Sequence, residues 1–286
     1  MPTKVVLDVF SGRPNPTWVL PAAESEALER RIAALGEKTR LKPPGIDGRL
    51  GYRGISLHRP AGDPAGPLDL RIHGGVIGTS RLAPNLVDPG RAIEHAIIER
   101  AGAHLGARLK AYLQRELAKP VEAGSSNSAG TAQCPACVAP DTPPYQPNLW
   151  NVPNVQPYNN CYNYANNQIT NTFAQPGRAH GKIITSMDCN TVMLCAIADG
   201  LTQTQGFNAP LGSGAGWYVA LVIWPLEDYH WYRQDADGCW SHKTGGAAAT
   251  NLDNSGNQIS DPQTCDRGEY TTFCTYMITS SHVVIN

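Results

Sequence analysis

The chain has 286 residues, 41% hydrophobic and 16% charged, with a formal net charge of −1 at pH 7. That is enough apolar side chain for ordinary buried cores and enough length for two domains. No run of roughly 18 apolar residues is present to cross a membrane, and the basic residues are dispersed without an aromatic-interleaved patch, so neither a transmembrane segment nor a nucleic-acid partner is expected. The near-zero total hides two unlike halves: residues 1–120 hold 18 Lys+Arg against 12 Asp+Glu, a net of +6, whereas residues 151–286 hold 5 against 10, a net of −5.

In chain order, residues 1–118 read as a small α+β domain with a targeting, regulatory or partner-binding role. A strand runs from Lys4 to Phe10, a helix from Glu24 to Leu35, strands lie near Tyr52 to His58 and Leu68 to Ile77, and a long helix spans Ala92 to Leu117. On that helix Ile97, Ile98, Ala101, Leu105, Leu109 and Leu113 trace an apolar stripe that should cover a sheet. The loop from Ser11 to Trp18 has exposed-loop chemistry, and its tryptophan either packs or marks a binding site. No catalytic constellation is visible in this half. Its histidines, His58, His73, His95 and His104, lack ligand spacing, and no metal or other cofactor is expected.

Residues 119–157 read as a Pro/Gly/Ser-rich flexible linker. Inside it, Cys134-Pro135-Ala136-Cys137 has half the spacing of a zinc ribbon; with no second Cys-x-x-Cys it reads as a local disulfide or redox pair. All eight cysteines lie from Cys134 onward, which suggests disulfides and export, with Cys189–Cys195 and Cys265–Cys274 as candidate pairs. Met1 to Asp8 lacks the apolar run of a signal peptide, so localisation stays open.

Residues 158–286 carry the chemistry. Cys161 stands where a helix should begin, capped by Asn159 or Asn160 and running to Thr170. His230 and His242 flank Ala236-Asp237-Gly238, a three-residue hairpin loop with glycine at its left-handed position. If Asp235 closes the loop against Cys239, Gln234 pairs with Trp240 and Tyr232 with His242, so His230 and His242 share a face as diagonal neighbours. A shift of one residue would send His242 to the other face. In that register Cys161 is a nucleophile, His230 its base and later the acid to the leaving group, and His242 the group that fixes the tautomer of His230. A second helix spans Asp188 to Gly200, and a closing strand Tyr270 to Ile278. The stretch from Asp253 to Asp261 reads as a solvated turn rather than a calcium loop. Tyr158 or a backbone amide near Cys161 would stabilise an oxyanion, while Tyr162, Trp231 and Tyr232, with the many asparagines, suit a sugar or peptide substrate.

The segments Gly216-Trp217-Tyr218-Val219-Ala220-Leu221-Val222-Ile223-Trp224, His230-Trp231-Tyr232 and Gly238-Cys239-Trp240-Ser241-His242 together resemble the strand–histidine–hairpin–histidine pattern of NlpC-type papain-like hydrolases, over roughly residues 158–245. The resemblance implies a papain-like domain in which Cys161, His230 and His242 cut peptide or amide bonds, peptidoglycan being the substrate common in that superfamily. The family's usual aspartate-cysteine-serine-glycine is here Asn160-Cys161-Tyr162-Asn163, which leaves the substrate open. Three expectations follow: a cysteine peptidase or amidase, a catalytically silent binding or toxin-accessory module, and a protein deamidase or acyltransferase.

Overall fold

The computed structural model describes residues 2–40, 48–63, 66–78, 85–120, 134 and 138–286. Helices and antiparallel sheets make it an α+β protein. It divides into two compact units: the first holds Met1–Val9, Asn15–Ile46 and Tyr52–Ser126, and the second holds Phe10–Pro14, Asp47–Gly51 and Asn127–Asn286. Residues 10–14 thus fold with the C-terminal residues rather than with their sequence neighbours.

The first unit contains β1 (Thr3–Asp8), β2 (Thr17–Leu20), α1 (Ala22–Ala33), β3 (Lys38–Thr39), β4 (Gly54–Arg59), β5 (Leu68–His73), β6 (Val76–Gly78), β7 (Asn85–Val87), α2 (Ala92–Arg100) and α3 (Ala107–Ala118). Its sheet has the order β2-β1-β4-β5-β6-β7-β3. The strand expected over Leu68 to Ile77 is a hairpin, because Gly74 and Gly75 both take positive φ, 60° and 74°, and turn the chain back. The long helix expected over Ala92 to Leu117 is two helices. Gly102, at φ 40°, starts a single 3₁₀ turn, and Leu105 is extended at φ −119°, ψ 128°. The apolar stripe survives the break, since Ile97, Ile98, Ala101, Leu105, Leu109 and Leu113 are all buried. Trp18 is packed, stacked on His104 with ring centroids 5.8 Å apart.

The second unit contains α4 (Pro147–Trp150), α5 (Cys161–Ala165), α6 (Cys189–Ala198), β8 (Thr202–Thr204), β9 (Trp217–Trp224), β10 (Asp228–Gln234), β11 (Trp240–Lys243), β12 (Ala249–Thr250) and β13 (Thr272–Thr279). Sheet order is β12-β11-β10-β9-β13-β8. All eight residues of β9 are buried, as its unbroken apolar run Trp217 to Trp224 requires of a central strand. Trp217, Val219, Leu221 and Ile223 share a core with Tyr229 and Trp231 of β10 and with Cys161, Tyr162, Val192 and Ala196 of α5 and α6. That placement leaves the opposite face of β10 to His230 and Tyr232.

Two expectations fail here for physical reasons. The stretch read as linker is, from residue 138, built into the second unit: Trp150 is buried against Tyr164 and Ala249, and Asp141 Oδ2 accepts from the backbone N–H of Gly214. Residues 121–133 and 135–137 of that stretch, Cys137 among them, lie outside the described residues. The disulfides join distant elements rather than near neighbours. Cys134 bonds Cys239 across 105 residues and Cys189 bonds Cys274 across 85, which leaves Cys195 and Cys265 as thiols.

Candidate active site

The hairpin has the expected register. Tyr232 pairs with His242 and Gln234 with Trp240, Asp235 N–H donates to the Cys239 carbonyl, and Gly238 sits at φ 84°. His230 and His242 therefore project from one face, and their rings meet: His242 Nδ1 lies 2.9 Å from His230 Nε2. The outer nitrogen, His242 Nε2, lies 3.0 Å from the Leu252 carbonyl oxygen, and His230 Nδ1 lies 2.5 Å from Ser11 Oγ.

A carbonyl oxygen only accepts, so this chain of contacts has a direction. His242 must carry its proton on Nε2. In a neutral ring its Nδ1 is then a lone pair and accepts from His230 Nε2–H. The lone pair of His230 is left on Nδ1, where the Ser11 hydroxyl donates to it. The hydroxyl of the same serine and the Trp231 backbone lie close enough to the Cys161 sulfur to favour its thiolate.

Cys161 is the first residue of α5, and the asparagines before and after it build its position. Asn160 caps the helix, its Oδ1 accepting from Tyr162 N–H at 3.0 Å and Asn163 N–H at 3.1 Å, while Asn163 Oδ1 returns the favour to Asn160 N–H at 3.1 Å. Asn159 Oδ1 accepts from Thr170 and Asn171 N–H. These three asparagines are fully buried and bond the surrounding backbone rather than facing solvent. They also stop the helix at Ala165 instead of Thr170, since Asn163 Nδ2 donates to the Gln168 carbonyl and Thr170 Oγ1. The ammonium of Lys243, on β11, donates to the carbonyls of Gln156, Asn159 and Gly245 at 2.6, 2.6 and 2.7 Å and ties the loop before Cys161 to the sheet.

The segment 10–14 closes the site. Asp228, at the start of β10, accepts the backbone N–H groups of Ser11 at 2.5 Å, Gly12 at 3.1 Å and Arg13 at 3.0 Å, and the Tyr270 hydroxyl at 2.6 Å. The Gly12 carbonyl accepts from Asn160 Nδ2 and Gln175 Nε2, each at 2.8 Å, and Tyr229 Oη lies 3.1 Å away. Burial dominates the electrostatics. It raises the Asp228 carboxyl above its ordinary range against the pull of those donors. Burial, with the Asp228 charge nearby, pushes the Cys161 thiol up to about 12. In this state Cys161 is a thiol, closed off from solvent together with Ser11 and His230.

The structure thus brings Cys161, His230 and His242 into one neighbourhood, with Ser11 beside Cys161 and His230, and His242 reached through His230. The four aromatic positions fare differently. Tyr158 is 53% exposed, whereas Tyr162 donates to Asp199 inside the core and Trp231 packs against Tyr162 at 5.5 Å between ring centroids. Tyr232 is buried on the histidine face, its ring 4.6 Å from that of His230. Sequence reasoning missed Ser11, Asp228 as an amide acceptor, Gln175 and Lys243. No spacing rule joins residue 11 to residue 230, and the burial of Phe10, Ser11 and Gly12 in what reads as exposed-loop sequence appears only in the folded chain. The stretch read as a solvated turn is a turn built around a buried carboxylate: Asp253 is 8% exposed and accepts backbone N–H groups from Ser255, Asn257 and Asp266.

Fold and site together define an α+β protein with a buried thiol, hydroxyl and imidazole pair gathered in one place. No family model and no solved structure matches the chain. It is 50% identical over 129 residues to insoluble matrix shell protein 1 of Ruditapes philippinarum, a match that covers 45% of this chain and 84% of that relative. The chain belongs to the family of that shell protein.

Proposed function

We propose that the second unit is a latent papain-like thiol hydrolase of peptide or amide bonds. The observation that carries this reading is the direction of the contacts from Leu252 through His242 to His230, which leaves the lone pair of His230 on Nδ1, facing Ser11 on the side of Cys161. Once the segment over the cleft yields to a substrate, His230 Nδ1 takes the Cys161 proton and the sulfur adds to the substrate carbonyl carbon. Asn160 Nδ2 and Gln175 Nε2, which hold the Gly12 carbonyl at 2.8 Å, are placed to bond the oxyanion. The C–N bond breaks, His230 returns the proton to the leaving amine, and water released against the thioester with His230 as base gives the acid and regenerates the thiol. An amine in place of water gives acyl transfer, and a side-chain amide as substrate gives deamidation. Peptidoglycan is the first substrate to screen.

A second reading is favoured by the complete burial of Cys161 and by the relative's name: a matrix module whose papain-like core binds without cutting. The pH profile of iodoacetamide labelling at Cys161, in wild type and His230→Ala, separates the two. A thiolate–imidazole pair in the open state gives labelling that is nearly flat below about pH 7 and becomes pH-dependent in the variant. A matrix module gives labelling that climbs with pH toward the free thiol value of about 8.5 in both proteins.

A further inference from the structure

Residues 10–14 are held as a bound peptide would be. Their contacts with β10 and α5 are chiefly to backbone: three consecutive N–H groups on Asp228, and one carbonyl on Asn160 and Gln175. A buried carboxylate that faced only Tyr270 would be costly, so Asp228 is built to collect peptide N–H groups. Side-chain selection occurs at two points. A Cβ on Gly12 would stand 2.4 Å from Tyr229 Cε2, closer than atoms can approach, so that place admits glycine alone. Arg13 Nη1 donates to the Glu227 carbonyl at 2.8 Å, and its guanidinium lies 4.6 Å from the Phe10 ring centroid. Beyond Arg13 a surface cleft lined by Ile184, Ser186, Met187 and Leu226 continues the site.

We infer that the Ser11-Gly12-Arg13 segment is a built-in pseudosubstrate, and that the site it fills takes peptides with glycine, followed by a basic residue, at the position beside Cys161. This rests on the hydrolase reading for its chemistry, though not for binding. The glycine carbonyl rests in the amide cradle, its neighbours' N–H groups lie on Asp228, and a free peptide of this kind competes with the segment for one place.

The test labels Cys161 with iodoacetamide in full-length wild type, Gly12→Val and Arg13→Glu, with Cys195 and Cys265 as internal reporters of unfolding. Gly12→Val collides with Tyr229; Arg13→Glu sets a carboxylate beside Asp228 without touching the packing of Gly12, and serves if the first variant does not fold. Release of the segment speeds Cys161 labelling at least roughly tenfold, the effect of one lost charge-assisted hydrogen bond on a local opening, while Cys195 is unchanged. A synthetic peptide of residues 9–16 then restores protection, and the same peptide with valine for glycine does not. Equal Cys161 labelling in wild type and both variants, or equal protection by the two peptides, overturns the inference. Adding His230→Ala to Arg13→Glu separates the two proposals: if labelling stays fast with an unchanged pH profile, the thiol–imidazole pair fails while the pseudosubstrate stands.

Discussion

Replacing His242 tests the relay at its hinge. His242 accepts from His230 Nε2 at 2.9 Å and donates to the Leu252 carbonyl at 3.0 Å, and it is 1% exposed. In His242→Ala both groups lose that partner, at about 1–3 kcal/mol each for a buried polar group, and the lost ring leaves a cavity; the sum is about 3–6 kcal/mol. In His242→Asn the side-chain oxygen takes the place of Nδ1, since both are bonded to Cγ, so the bond to His230 is kept and only the Leu252 contact is lost. That variant should lose about 1–3 kcal/mol. Urea unfolding measures both. The functional readout is the pH profile of Cys161 alkylation in an Arg13→Glu background, where His242→Ala should abolish the low-pH plateau and His242→Asn should keep it. If the two variants lose the same stability and the same plateau, His242 is packing, and the directed relay is wrong.

Two further outcomes follow from burial and covalent linkage. Cys161 sits at about 12 when folded against an ordinary 9.0, so the folded state holds a proton that the unfolded chain releases between those values. Its stabilising effect is complete below pH 9 and disappears as pH rises to about 12, at roughly 1.4 kcal/mol per pH unit, so Cys161→Ala should flatten the fall in unfolding free energy from urea titrations between pH 8 and 10.5 by about 2 kcal/mol. An equal pH dependence in both proteins would contradict the buried-thiol state. The Cys189–Cys274 bridge closes a loop of 85 residues, and removing it by Cys189→Ser with Cys274→Ser should cost about 4–5 kcal/mol, seen in calorimetry as a Tm lower by roughly 10–18 °C. A shift of only a degree or two would show that packing around α6 and β13 holds these elements unaided.

Much of this was legible in the sequence where local rules decide the outcome. The Ala236-Asp237-Gly238 loop fixes a register, and the register carries His230 and His242 to one face, because side chains alternate along strands. Likewise the apolar run of β9 has to lie at the centre of a sheet. What escaped was set by contacts far apart in the chain. Nothing in the local sequence marks Asp228 as buried, yet it accepts three N–H groups from residues 11–13, more than 200 positions away. The cysteine pairs join elements by topology rather than spacing, and the asparagines around Cys161 bond inward, which composition alone reads as outward polarity. A broken apolar stripe still scores as a helix, so the extended Leu105 between α2 and α3 left no mark on the pattern.

The tautomers of His230 and His242 give the proposed proton relay its one direction. Long-range ¹H–¹⁵N correlation of the imidazole nitrogens near pH 8 reads each tautomer, with assignments from single His→Gln variants. His230 and His242 should both be neutral with the proton on Nε2, and the unprotonated Nδ1 of His230 should shift when Ser11→Ala removes its donor. A proton on His230 Nδ1, or on His242 Nδ1, would contradict it, because the lone pair would then face away from Ser11 and Cys161.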